Sequence, residues 1–145
     1  SKAVAEAKKI SSSAGDDLEV IQNVYNYMIS NFTYDYDKAA TVQSGYLPDV
    51  DEVFEQKTGI CFDYAAVMAT MLRCERIPTR LEVGYAGDIY HAWISTYIHD
   101  KGWVNGIIEF DGKDWKLMDP TFASTSSDPK DFVTEADDYV TKYVY

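Results

Sequence analysis

Cys61, His91 and Asp119 are of the types, and in the chain order, that thiolate-based acyl transfer uses. Cys61 lies in the run Lys57-Thr58-Gly59-Ile60-Cys61-Phe62-Asp63-Tyr64-Ala65-Ala66, where a glycine turn leads into an apolar helical stretch. In the first turn of a helix, unsatisfied amide N–H groups and the positive end of the macrodipole favour an anion, here a thiolate. The same amides can then hold the oxyanion of a tetrahedral intermediate. His91, followed by Ala92-Trp93, is the candidate base, and Asp119, followed by Pro120-Thr121, is the candidate carboxylate that orients it. Each has a plainer reading alone: a small core residue for the cysteine, a structural ring for the histidine, an Asp-Pro turn for the aspartate. Their joint occurrence in this order is what favours catalysis. Cys74, at the far end of the same helix, is read as a core residue, His99 as a solvated turn residue, and Asp63 as a dipole partner in the first helical turn.

The elements that must position these groups follow from periodicity. Asp16 or Asp17 caps a helix whose apolar residues Leu18, Ile21, Tyr25, Met28, Ile29 and Phe32 recur near every 3.6 positions. Residues 1–10 are open between linker and helix, and Thr33 to Pro48 reads as an irregular surface segment. Asp49 with Glu52 forms a capping pattern that opens a short helix to about Gln56. The helix Cys61 to Arg73 is apolar nearly all round and therefore buried centrally, with Cys61 at its amino end. After Pro78 the period changes to two. Arg80 to Tyr85, His91 to Ile98, Trp103-Val104, Ile107 to Phe110 and Trp115 to Met118 read as strands. Gly87-Asp88, Asp100-Lys101-Gly102 and Asp111-Gly112 supply the turns between them. Such a meander can set the strand that ends at Asp119 beside the His91 strand. The acidic stretch Asp128 to Asp138 is a solvated face, and Tyr139 to Tyr145 can add an edge strand. Helices first and an antiparallel sheet afterwards make an α+β domain.

Bulk properties bound the function. The 145 residues suit a single domain with a real core, and 46% hydrophobic against 26% charged residues is ordinary globular composition. The net charge of -11 opposes binding to nucleic acid or to an anionic membrane surface. No run of about 18 apolar residues is present to span a bilayer. Across a helix the two cysteines would stand about 20 Å apart, too far for a disulfide. His91 and His99 have no metal-ligand spacing with them, so neither a metal nor another cofactor is expected. The chain begins with Ser1 and not Met, which agrees with a processed exported protein or a trimmed recombinant start.

Taken together, Gly59-Ile60-Cys61, Ile77-Pro78-Thr79-Arg80, Gly84-Tyr85, His91-Ala92-Trp93 and Trp115 through Asp119-Pro120-Thr121 resemble the transglutaminase-like superfamily, a papain-like cysteine fold. The core motifs span residues 57–121 of what is expected to be one domain over residues 1–145. The resemblance implies Cys61 as nucleophile, His91 as base and Asp119 as its orienter, acting on an amide of a protein or peptide substrate through a thioester. It also implies an exported or cell-surface location of bacterial type. The alternative is a module that kept the fold as an inactive binding scaffold. Two departures stand out. The family's glycine ahead of Ile-Pro is Arg76 here, so a shifted loop is expected. Animal transglutaminases use a tryptophan upstream of the cysteine as oxyanion donor, whereas Trp93, Trp103 and Trp115 all lie downstream, leaving Gln56, Tyr34 and Tyr46 as candidates.

Overall fold

The structure is a computed structural model and describes residues 1–43, 45–86, 89–118 and 139–145. It divides into two compact units, Ser1–Glu75 and Arg76–Tyr145. The first is helical and the second an antiparallel sheet, the α+β class expected.

In the first unit, the Ala- and Lys-rich start forms helix α1 (Lys2–Ser11), with Ala3 and Ala7 fully buried one turn apart. Helix α2 (Asp17–Asn31) is capped by Asp16, whose carboxylate accepts from the Glu19 N–H at 2.8 Å. Its buried stripe is Val20, Ile21, Val24 and Met28. Ile29, expected on that stripe, is 41% exposed, because one step beyond Met28 turns a side chain about 100° away from it. The segment expected to be irregular contains a strand β1 (Thr33–Tyr34) and a helix α3 (Tyr36–Thr41). Neither has a long enough pattern to be read locally, and β1 exists by parallel pairing with β2 (Thr58–Gly59). Helix α4 (Val50–Gln56) starts where Asp49 accepts from the Glu52 N–H at 3.1 Å.

Helix α5 (Cys61–Cys74) is buried on almost every side, as its composition requires, and packs against α1, α2 and α4. Beyond it, Arg76 takes the left-handed conformation itself, with φ 65. The expected loop shift is therefore corrected: the backbone keeps the glycine-type turn and Arg76 bears the Cβ strain. That strain is about 1–2 kcal/mol for a residue with a Cβ, and glycine's freedom in the unfolded chain offsets part of it. Arg76→Gly is expected to raise the free energy of unfolding by roughly 0.5–1 kcal/mol in a urea titration. A decrease would show that the arginine side chain contributes more than its backbone loses.

The second unit is a five-stranded sheet of β3 (Thr79–Ala86), β4 (Ile89–Ile98), β5 (Gly102–Phe110), β6 (Trp115–Leu117) and β7 (Tyr139–Val144), in the order β6-β5-β4-β3-β7. Leu81, Val83, Ala92, Ile94, Val104, Ile107, Ile108 and Phe110 are buried. The two strands expected on either side of Asn105-Gly106 are one strand, β5. The break between them is a bulge, where pairing slips between Ile94 and Thr96. Gly106 supplies φ 62 there, and its N–H leaves the ladder to donate to Ser95 Oγ at 2.9 Å. The Asp111-Gly112 hairpin forms as read: Asp111 Oδ1 accepts from the amides of Lys113 at 3.0 Å and Asp114 at 2.9 Å. The Asp114 amide first, then Lys116 and the Lys113 amide, hold the Asp111 carboxyl down at about 2. The final segment pairs as the edge strand β7 on β3. The Gly87-Asp88 turn and the acidic stretch Asp128 to Asp138 lie outside the described residues.

Candidate active site

Cys61 opens α5 and is fully buried. The residue before it, Ile60, is extended (φ -93, ψ 179) and has no polar side chain with which to cap the helix. Asp63 does the work from inside the first turn, where its carboxylate reaches back to accept the Ile60 N–H at 2.9 Å. Gly59 makes this possible. A Cβ there would stand 2.6 Å from Asp63 Cβ and 2.8 Å from Asp63 Oδ2, so the tight approach tolerates no side chain.

Asp63 is also fully buried, and two side chains from the 36–46 segment complete its bonding. Lys38 Nζ donates to Oδ2 at 2.8 Å and Tyr46 Oη donates to Oδ1 at 2.5 Å. Lys38 also donates to Tyr46 Oη at 2.5 Å and stands over its ring at 4.5 Å. Burial opposes the Lys38 charge, but its bonds to Asp63 and Tyr46 outweigh it and hold the ammonium above its ordinary range. The dipole reading of Asp63 is thus extended: the carboxylate ties α3 and the following loop to the start of α5. Lys38 escaped the sequence reading because nothing in its surroundings links it to a residue 25 positions on.

The ionisation of Cys61 differs from the expected thiolate. Burial pushes the thiol up to about 12, ahead of the hydrogen bonds from the Phe62 amide, the Tyr34 hydroxyl and the Cys61 amide, which act the other way, while the nearby Asp63 charge adds to the rise. The helix terminus does what the sequence implied, but desolvation is larger. Cys61 rests as a neutral thiol. Cys74 is also free and only partly buried, its thiol donating to the Met71 carbonyl at 3.1 Å.

His91 lies in β4 of the second unit, half-buried and paired in register with Gly84 of β3, which has no side chain to crowd it. Its ring stacks on Trp93, two residues along the same face, with centroids 5.3 Å apart and planes at 26°. Asp119 lies outside the described residues. The residue before it, Met118, is fixed by its N–H donating to the Ile107 carbonyl at 2.8 Å. The strand leading to it, β6, is next to β5 and not to β4, which corrects the expected adjacency. Short hairpins make each strand the neighbour of the next, so β5 intervenes. Of the three candidate oxyanion donors, Gln56 donates to Glu52 at 3.2 Å, Tyr46 to Asp63, and only Tyr34 bonds to Cys61. Among the described residues no three His, Cys, Asp or Glu side chains are grouped to hold a metal, and no helix is long and apolar enough to cross a membrane.

Comparison with known proteins agrees with this architecture. The family described as the transglutaminase-like superfamily matches residues 5–106, which run through both units. The uncharacterised protein YebA of Bacillus subtilis (strain 168) is 31% identical over 104 residues, 58% of this chain and 14% of that protein. A protein-glutamine gamma-glutamyltransferase of Pseudomonas aeruginosa is 30% identical over 69 residues, 38% of this chain and 10% of that protein. The chain thus spans a small part of the length of both relatives. A crystal structure from Cytophaga hutchinsonii, of a protein provisionally named a cysteine protease, superposes with a TM-score of 0.58 at 16% identity, covering 99% of this chain and 49% of the other.

Proposed function

The chain belongs to the transglutaminase-like superfamily, and from that premise we propose that it is a cysteine-dependent acyl-transfer unit acting on amide bonds of proteins or peptides. The observation that carries the reading is the buried sulfur of Cys61 at the start of α5, receiving bonds from the Cys61 and Phe62 amides. In this reading the same amides stand close enough to the sulfur to serve the oxygen on which negative charge develops during attack on a carbonyl. In the proposed reaction His91 takes the Cys61 proton as Sγ bonds to the carbonyl carbon. It then returns that proton to the departing amine or ammonia, leaving a thioester. Asp119 orients the imidazole. Water resolves the thioester in hydrolysis, and a second amine resolves it in transamidation. The glutamyltransferase activity named for the Pseudomonas relative favours a glutamine side chain as the amide.

A second reading, an inactive binding module, is favoured by one observation: complete burial keeps Cys61 neutral. One experiment separates the two. The protein is incubated with a glutamine-containing peptide and a dansyl-labelled primary amine, with product formation and the intact mass of the protein followed over time. An acyl-transfer enzyme gives deamidated or amine-bearing peptide, a transient acyl adduct on Cys61, and neither in Cys61→Ala. Wild-type protein that forms no adduct and no product dependent on Cys61 would leave only the scaffold.

A further inference from the structure

Tyr34 is the last residue of β1, and its register partner is Gly59 in β2, two residues before Cys61. The two-residue ladder is held on both sides. The Thr33 N–H donates to the Lys57 carbonyl and the Asp35 N–H to the Gly59 carbonyl, each at 2.9 Å, and Thr58 Oγ1 donates to the Thr33 carbonyl at 2.9 Å. The Tyr34 ring is fixed edge-on against Tyr36, with centroids 4.9 Å apart, and tilted against Tyr64 at 6.1 Å. Its hydroxyl is thereby brought to Cys61, where the O–H donates to Sγ beside the Cys61 backbone N–H. Two hydrogen-bond donors, one from the nucleophile's own amide and one from a phenol, therefore meet beside the reacting sulfur.

A carbonyl carbon bonded to Sγ must place its oxygen within a few ångströms of that sulfur. We propose that the Tyr34 hydroxyl and the Cys61 N–H together bind the oxyanion formed when Cys61 attacks an amide. Tyr34 is then a catalytic residue, supplying from β1 the donor that no upstream tryptophan supplies. In the step, the S–C bond forms and the carbonyl π pair moves onto oxygen, while the Sγ proton passes to the base. The Tyr34 O–H turns from sulfur to the oxyanion and keeps its proton. Collapse restores the carbonyl and expels the amine with the proton from the base. Burial raises the Tyr34 hydroxyl above its ordinary range, so it remains a donor throughout the neutral pH region. The other two tyrosine and glutamine candidates are committed to carboxylates, Tyr46 to Asp63 and Gln56 to Glu52.

The inference rests on the acyl-transfer reading, and the test separates the two. Tyr34→Phe in the full chain keeps the ring and removes only the hydroxyl, with folding checked by circular dichroism and thermal melting. Acylation is read as the p-nitrophenolate burst from p-nitrophenyl acetate in single turnover. Thiolate formation is read as the pH dependence of Cys61 alkylation by iodoacetamide, which needs no catalysis. The expected result is acylation slowed on the order of 10²-fold, with saturation by the probe unchanged and the alkylation midpoint moved upward. Acylation within about threefold of wild type would overturn the proposal, since loss of one oxyanion donor is worth far more. Should wild type give no burst, the acyl-transfer reading fails by itself. The midpoint then decides for Tyr34: a rise supports its donation to sulfur, and no change overturns it.

Discussion

His91→Ala is expected to slow acyl transfer by roughly four to six orders of magnitude while leaving the sheet folded. The reason lies in the state of the nucleophile. Burial pushes the Cys61 thiol up to about 12, so the sulfur is overwhelmingly protonated at neutral pH. A base that removes the proton during attack is therefore indispensable, and His91 is the proposed base. The fold should tolerate its loss, because the ring is half-buried and its described contact is the stack on Trp93, a pair worth about 0.5–1.5 kcal/mol. The measurement is the single-turnover acylation rate of wild type and variant, alongside the thermal melt. Retention of activity within tenfold would remove His91 from the reaction.

The same displaced ionisation has a consequence for stability whose sign can be worked out. The folded thiol is raised above the ordinary value of 9.0 to about 12, so the folded state holds the proton more tightly than the unfolded state. The stabilisation tied to protonated Cys61 is fully present below pH 9 and is lost as pH climbs towards about 12. Stability of Cys61→Ala should fall less steeply across that window than that of wild type.

Asp63→Ala is expected to lower the free energy of unfolding by about 3 kcal/mol, measured by urea titration. The carboxylate is fully buried and accepts three donors: the Ile60 amide at 2.9 Å, Lys38 at 2.8 Å and Tyr46 at 2.5 Å. Removing it leaves the Ile60 N–H buried without its acceptor and strips α3 and its loop of their tie to α5. The loss should sit at the lower end of the range for breaking buried pairs, because Lys38 is 32% exposed and can be hydrated in place. A change below about 1 kcal/mol would mean that the carboxylate's desolvation cancels its bonds.

What the sequence disclosed divides by range. The caps at Asp16 and Asp49, the Asp111-Gly112 hairpin and the strands after Pro78, apart from the division of β5, were legible because each depends on residues within a few positions. The start of α5 at Cys61 followed for the same reason. Pairing of Tyr34 with Gly59 and the bonds from Lys38 to Asp63 were not legible, because two-residue strands and single ion pairs leave no period. The charge state of Cys61 was not legible, for an instructive reason. The apolar run that marks α5 as central is what desolvates its first residue, so one observation argued for both a stabilised thiolate and its opposite. Only the packed structure shows which is larger.

The placement of β7 bears on how this molecule is assembled. Hairpins bring β4 and β5 to their neighbours with little chain to close, but β3 meets β7 only after a long intervening stretch. Until that closure occurs, Leu81 to Ala86 offer a row of unsatisfied amides and carbonyls along one flank. The protein is therefore most vulnerable to annealing with its fellows in the interval between zipping of the meander and docking of β7.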